Sequence, residues 1–257
     1  MATVADIIER TRVEVLDDNI EPYNWEDEEL INYLNDTINE LAEENLCVAD
    51  QSTTSITEVR LLSGTTLHAV SDLIVNVKFG RLETAGYYLV KTTEEWLNGN
   101  IAEWRDTTGT YPTYFAPSAS KGYLSIYPKF DATYKFTGSS NISFTAATKT
   151  ITHTGGNFSG LVAGDEVNIS GTTNNNGYFT VVTVSTTYFT VSETVVNESG
   201  TSAVIKKVED TLVLSVNRLP LTAFTVSDIA DATSITDLKS LHHDKLQRDS
   251  KESVSQA

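Results

Sequence analysis

Four histidines, one cysteine and 35 carboxylates are the side chains from which this sequence would have to build catalysis or metal binding. The histidines are His68, His153, His242 and His243. Adjacent His242 and His243 project from different faces of a helix, so they do not make the i, i+4 pair of a helical zinc site. Solvated or interface histidines are the expectation, with no metal and no other cofactor. Cys47 stands alone, which excludes a disulfide-built secreted scaffold and predicts a small packed residue after a helix. Gly155-Gly156-Asn157-Phe158-Ser159-Gly160 is glycine-rich, but it lies in β-rich sequence with no helix to follow. It is therefore not expected to cradle phosphate. Asp165-Glu166 has two readings, a calcium-binding pair or a turn carboxylate that caps backbone amides; the second is the commoner arrangement. Carboxylates are so abundant that a glycosidase pair could be drawn anywhere, and such a pair carries no information. No acid is singled out by an apolar setting, so no catalytic residue is expected. Trp25, Trp96 and Trp104 are expected as core anchors and not as a sugar-stacking platform. The five Asn-x-Ser/Thr sequons, beginning at Asn35, Asn141, Asn157, Asn168 and Asn197, follow from the abundance of those residue types.

The 257 residues allow one large domain or two small ones. The formal net charge of −17 excludes a duplex-binding surface, which needs clustered Lys and Arg. Residues 1–50 hold fifteen acids against Arg10 and Arg12, so −13 of that charge belongs to the N-terminal segment. No apolar run approaches the roughly 20 residues of a membrane helix, and no membrane insertion is expected. The start of the chain lacks the basic and apolar regions of a secretory signal, which places the protein in the cytosol that makes it.

Two helices are predicted first. Thr3 and Asp6 form a near capping box, and Val4, Ile7, Ile8, Thr11 and Val15 follow at helical spacing over residues 4–16. Leu30, Leu34, Ile38 and Leu41 make the apolar stripe of a second helix that runs to about residue 45. Trp25 and Leu30 are placed for a hydrophobic staple if Glu26 is the N-cap. A short connection between the two predicts an antiparallel helical hairpin over residues 4–45, packed through Ile7, Ile8, Val15, Trp25, Leu30, Leu34, Ile38 and Leu41. Asp27, Glu28, Glu29, Glu40, Glu43 and Glu44 then form either a solvated helix face or a wall that repels phosphate within about a Debye length of 8–10 Å.

Short strands follow through residues 56–128, with a brief helix at Thr93–Leu97 begun by a Thr cap. The strand at Gly122–Pro128 finds its natural partner by alternation at Thr211–Val216. Residues 131–208 between them are Thr-, Ser-, Asn- and Gly-rich and alternate as about six strands. That pattern predicts an inserted all-β barrel or sandwich. The fold class expected is α+β, with a body of residues 1–130 and 209–246 and a polar tail of 247–257.

One further set of residues has a recognisable order. Tyr23-Asn24-Trp25 leads to Glu29-Leu30 and Tyr33-Leu34-Asn35. Trp104, Pro112-Thr113-Tyr114-Phe115 and Leu124-Ser125-Ile126-Tyr127-Pro128 come next. Leu212-Val213-Leu214, Arg218-Leu219-Pro220-Leu221, Ile235 and Leu241-His242 complete it. This order resembles the tail adaptor (head-to-tail connector) family of tailed bacteriophages, over roughly residues 1–130 and 208–246. The block 131–208 departs from the simpler members and resembles a small β-module of phage structural proteins. The resemblance implies a non-enzymatic virion protein made in the bacterial cytoplasm. It implies a homo-oligomeric ring of twelve subunits in the tail neck, between the portal and downstream tail, nozzle or fibre proteins. DNA would pass through the ring as unbound cargo. The C-terminal Leu238, Leu241, His242, His243, Lys245, Leu246 and Arg248 are the expected portal-docking set, and the acidic helix face is expected to line the channel. Two rival readings stand beside this one: a cell-surface or carbohydrate-binding protein acting through the β-module, and a connector with wall-degrading activity.

Overall fold

The computed structural model describes residues 3–16, 18, 20–45, 48–137 and 141–230. The Thr3 hydroxyl accepts from the Asp6 amide at 3.2 Å, and the Asp6 carboxylate accepts from the Thr3 amide at 2.8 Å. This reciprocal cap starts α1, Val4–Thr11. The helix expected over residues 4–16 is shorter than its periodicity suggests, because Arg12–Leu16 form a wider, π-helical turn. Two local features accompany the change. The Thr11 hydroxyl donates back to the Ile7 carbonyl at 2.8 Å, and Arg12 turns into an ion cluster with buried Asp18 and half-exposed Asp27.

The other elements follow in chain order: α2 Asp27–Asn45, β1 Ala49–Asp50, α3 Thr54–Thr57, β2 Glu58–Leu62, β3 Leu67–Ala69, β4 Ile74–Leu82 and β5 Tyr88–Lys91. Then come α4 Glu94–Asn100, β6 Thr108–Gly109, β7 Tyr114–Pro117, β8 Tyr123–Tyr127, β9 Lys129–Phe130 and β10 Lys135–Thr137. The remainder are β11 Ile142–Thr145, β12 Thr150–His153, β13 Glu166–Ser170, β14 Gly177–Val184, β15 Tyr188–Val191, β16 Glu198–Thr201, β17 Val204–Arg218 and α5 Ser227–Ala230.

These elements correct the expected fold class. Fifteen strands hydrogen-bond in one mixed sheet, along the order β16-β11-β12-β15-β14-β13-β17-β4-β5-β7-β8-β3, with β1, β2 and β10 also on β17. The fold is mainly β and not α+β, and the N-terminal helix is a single short one in place of the first arm of a long hairpin. The misreading has a physical source. Lys207-Val208-Glu209-Asp210 looks like a charged linker, yet it and the preceding Lys206 lie inside β17, where neighbours meet three of the four charges. Lys206 donates to the Thr65 hydroxyl at 2.8 Å, and Lys207 pairs with Asp165 at 3.0 Å. Asp210 accepts the amides of Thr84 and Ala85 at 2.9 and 3.1 Å. With three of those four charges met, the strand runs for 15 residues and bulges once, at Val208–Asp210.

The strand pairing expected between Gly122–Pro128 and Thr211–Val216 is also overturned. β8 lies between β7 and β3, with Tyr114 opposite Tyr127 and His68 opposite Leu124. The 211–213 stretch of β17 pairs with β2, placing Leu212 opposite Val59.

Two compact units divide the described residues. One takes those of 1–57, 71–78 and 215–257, and the other those of 58–70 and 79–214. In the first, Val4, Ile7, Ile8, Leu30, Ile31, Leu34, Ile38, Leu41, Ala42 and Val48 bury one another, and Trp25 packs at the edge. The Asn35 side-chain amide exchanges two hydrogen bonds with the Phe224 backbone, at 2.8 and 2.9 Å. In the second, a separate core draws all its buried members from Ile142 to Ile205, with Phe136 and Val184 packed against it.

β17 changes phase within the second unit. Val208 lies opposite Leu62, and Asp210 opposite Leu61, so the strand bulges between them. Up to Leu214, the buried residue of β17 before the bulge is at an odd position (Ile205) and those after it are at even ones (Asp210, Leu212, Leu214). Fully buried Ser63 ties the two ends of the β-rich block together. Its hydroxyl donates to the Asp131 carbonyl at 2.7 Å, and its amide donates to the Lys207 carbonyl at 3.0 Å.

That juncture makes a deletion testable. Two chain ends that reach one serine are close enough for a short turn, and a shorter loop also closes at lower entropic cost. Replacing residues 132–207 with an Asn-Gly-type turn is expected to leave a protein with a cooperative thermal transition in circular dichroism. An insoluble or unfolded product would make the block integral to its surroundings.

Candidate functional site

The acidic N-terminal segment is the place where charge is most concentrated, and an ion cluster organises it. The Arg12 guanidinium donates to Asp18 at 2.9 Å and to Asp27 at 2.6 Å, and lies 4.1 Å from the centroid of the Tyr23 ring. Asp18 also accepts from the Asn24 amide, the Asn24 side chain and the Trp25 amide at 2.8–3.1 Å. The Asn24 amide bond leads the groups that hold the Asp18 carboxyl below the usual range, with Trp25 and Arg12 adding to it. One buried carboxylate thus fixes the turn that delivers the chain into α2. At that start Glu29 reaches back to accept the Glu26 amide at 3.3 Å, the geometry of a cap in which Glu26 precedes the helix.

The six acids proposed from sequence separate into two groups. Asp27 is the one committed to Arg12. Glu28, Glu29, Glu40, Glu43 and Glu44 are exposed. α2 carries seven acids and no base along its 19 residues. Asp27, Glu28 and Glu29 sit in its first turn, where the helix dipole favours anions. Glu43 and Glu44 sit in the last turn, where the dipole disfavours them. The exposed acids at that end are therefore not explained by helix stability.

Of the packing residues, Ile7, Ile8, Leu30, Leu34, Ile38 and Leu41 share one buried cluster, with Trp25 half-buried against it. The Val15 side chain lies outside the described residues. So do Cys47 and the whole proposed portal-docking set, Leu238, Leu241, His242, His243, Lys245, Leu246 and Arg248.

Elsewhere the structure places the other chemical candidates. His68 is buried on β3, and burial pushes its pKa down to about 4, so it is neutral at physiological pH. Asp165 is held by Lys207 and accepts the Val162 amide at 2.8 Å, while Glu166 pairs with Arg60 at 2.7 Å. The turn-carboxylate reading describes Asp165, whereas Glu166 opens β13 and pairs with Arg60. Phe179 and Phe189 face the core, whereas Tyr178 and Tyr188 on the same strands are over 40 % exposed (41 % and 43 %). Trp104 is buried and donates to Asn98 at 2.8 Å. Trp96 is not a core anchor; it is 42 % exposed, with its ring 5.4 Å from that of Tyr114. Among the described residues, no group of three or more His, Cys, Asp and Glu is arranged to hold a metal ion. Among them too, no helix is long and apolar enough to cross a membrane.

Sequence reasoning missed a second concave site. Tyr111, Phe130, Asp131, Tyr134 and Glu209 line one cavity, although they come from segments up to about a hundred residues apart. The available signal was that Phe130-Asp131 and Glu209 flank the same block on its two sides, so the segments that contain them had to meet. Comparison of the chain with protein-family models gives no match, and comparison with curated proteins gives none.

Proposed function

We propose that the chain is a tail adaptor of a tailed bacteriophage. It forms a homo-oligomeric ring of twelve copies between the portal and the downstream tail, and DNA passes through that ring without being bound. The motif order from Tyr23 to His242 supports the family. The observation that carries the reading is the exposed face of α2, with acids at both helix ends and no base. Helix stability alone would place cations in the last turn. A channel that must release DNA gains from carboxylates there, because they repel phosphate at short range. The C-terminal segment from Asp237, which brings Lys239, Lys245, Arg248 and Lys251 to an acidic chain, docks the ring on the portal.

The test is the mass and symmetry of the purified protein, alone and mixed with the portal ring of the same phage. A twelve-subunit ring on the portal is expected. Removal of residues 237–257 should leave a folded protein that no longer co-sediments with portal. A full-length chain that stays apart from portal under all assembly conditions overturns the reading. Duplex DNA should show no binding at physiological salt, and weak association at low salt should vanish as salt rises. Salt-resistant, sequence-selective retardation in a gel would contradict the acidic channel.

A further inference from the structure

The cavity beside Ser63 has a volume of about 250 Å³ and lies wholly within the second unit. Parallel pairing of β6 with β9 sets Gly109 opposite Phe130 and brings Tyr111 edge-on to the Phe130 ring, with centroids 6.3 Å apart. Gly109 is required there, since a Cβ would stand 2.6 Å from the Pro128 ring. Tyr134 adds a third aromatic wall, and Asp131 and Glu209 add two carboxylates.

The charges do not balance among themselves. Lys207 is the neighbouring cation, and it is already taken, with its ammonium 3.0 Å from Asp165 and 4.9 Å from the Tyr134 centroid. Asp131 is held ionised by the Thr133 hydroxyl and amide. Glu209 forms no ion pair with a described residue; its carboxyl is pushed up first by burial and further by Asp131 and Asp165, against Lys207 and the Ser63 hydroxyl. Three aromatic rings around unpaired negative charge are the chemistry that recognises an alkylammonium head group, whose methyl groups stack on ring faces while its charge meets carboxylate. A cavity below the roughly 300–1,000 Å³ of drug-sized sites suits a small head group.

We propose that this cavity binds a small organic cation, with the alkylammonium charge against Glu209 and Asp131 and the alkyl surface against Tyr111, Phe130 and Tyr134. Such binding needs neither a ring nor a portal, and it goes beyond the adaptor role.

The experiment titrates the full-length protein with choline chloride at constant ionic strength, followed by NMR. It repeats the titration with 3,3-dimethylbutan-1-ol, the neutral isostere. Saturable choline binding is expected, on the order of millimolar for one small head group. The neutral isostere should bind at least about tenfold more weakly. Glu209→Gln and Tyr111→Leu should each weaken choline by about fivefold or more. The Tyr111 side chain is 48 % exposed, so its variant keeps the test decisive if Glu209→Gln fails to fold. Equal binding of both probes would make the cavity merely apolar. Binding untouched by either variant would put the ligand elsewhere. Absent choline binding, or saturable binding of glucose in its place, would also overturn the proposal.

Discussion

Replacing Arg218 with alanine is expected to cost about 3–5 kcal/mol of stability, the usual penalty for stranding one member of a buried ion pair. The Arg218 Nε donates to Asp50 at 2.6 Å, and both side chains are under a tenth exposed (8 % and 4 %). Asp50 also accepts the Ser52 and Thr53 amides at 3.0 Å each, so it caps the chain as it turns into α3. Burial raises the Asp50 carboxyl, but the hydrogen bonds from Thr53, Ser52 and Arg218 more than reverse this and hold it well below the ordinary carboxylate range. A carboxyl depressed in the folded state contributes stability above its unfolded pKa of about 4, and that contribution is lost as the pH falls below it. Urea titrations should therefore show the wild type weakening below about pH 4, and Arg218→Ala losing part of that acid dependence. Asp50→Asn in the Arg218→Ala background should recover some of the loss, because it removes the stranded charge while keeping an acceptor for the two amides. A single-variant loss under about 1 kcal/mol would show that the pair does not hold β1 to β17.

Phe158→Ala is expected to cost a similar ~3–5 kcal/mol, here by opening a cavity in the β-rich block. Phe158 is fully buried, with its ring 4.8 Å from Phe136 and 4.9 Å from Phe189, both edge-on. Its amide donates to the Thr186 carbonyl at 2.8 Å, so the backbone cannot readily collapse into the gap. Hydrogen exchange should accelerate across residues 141–205, and Phe158→Leu should cost less than alanine. Unchanged protection in that block would mean that its core does not depend on the aromatic cluster.

Phe158 also shows where sequence reasoning stopped. Inside Gly155–Gly160 it was visible only as part of a loop that fails to bind phosphate. Nothing in local spacing announces that a loop aromatic will be the centre of a core. Local signals fared better. The Thr3 and Thr93 caps, and the period-2 runs at Ile142–Thr145 and Tyr188–Val191, are set by neighbours a few residues away. Pairings over long separations were not legible. β8 and the 211–216 stretch alternate equally well, and alternation does not choose between two partners of the same pattern. Of the candidate sites, the acids of α2 were readable from helical spacing, except that Asp27 is diverted to Arg12. The Tyr111–Glu209 cavity was not readable, because its walls meet only after the sheet has formed.

The bulge at Val208–Asp210 bears on how this gene can vary. Up to Leu214 the buried positions of β17 change parity across it, from Ile205 to Asp210, Leu212 and Leu214, because the bulge takes in one extra residue. Replacing Glu209 by another residue leaves that change of parity in place. Deleting the single codon for Glu209 would remove the bulge and leave one unbroken alternation, with Ile205 before it and Asp210, Leu212 and Leu214 after it still on the buried face. Descendants of this sequence should therefore tolerate both substitution and loss of the one residue at 209, while Asp210 stays fixed by the Thr84 and Ala85 amides. Loss of two residues there would instead place Asp210, Leu212 and Leu214 on the opposite face, and should be the change that does not survive.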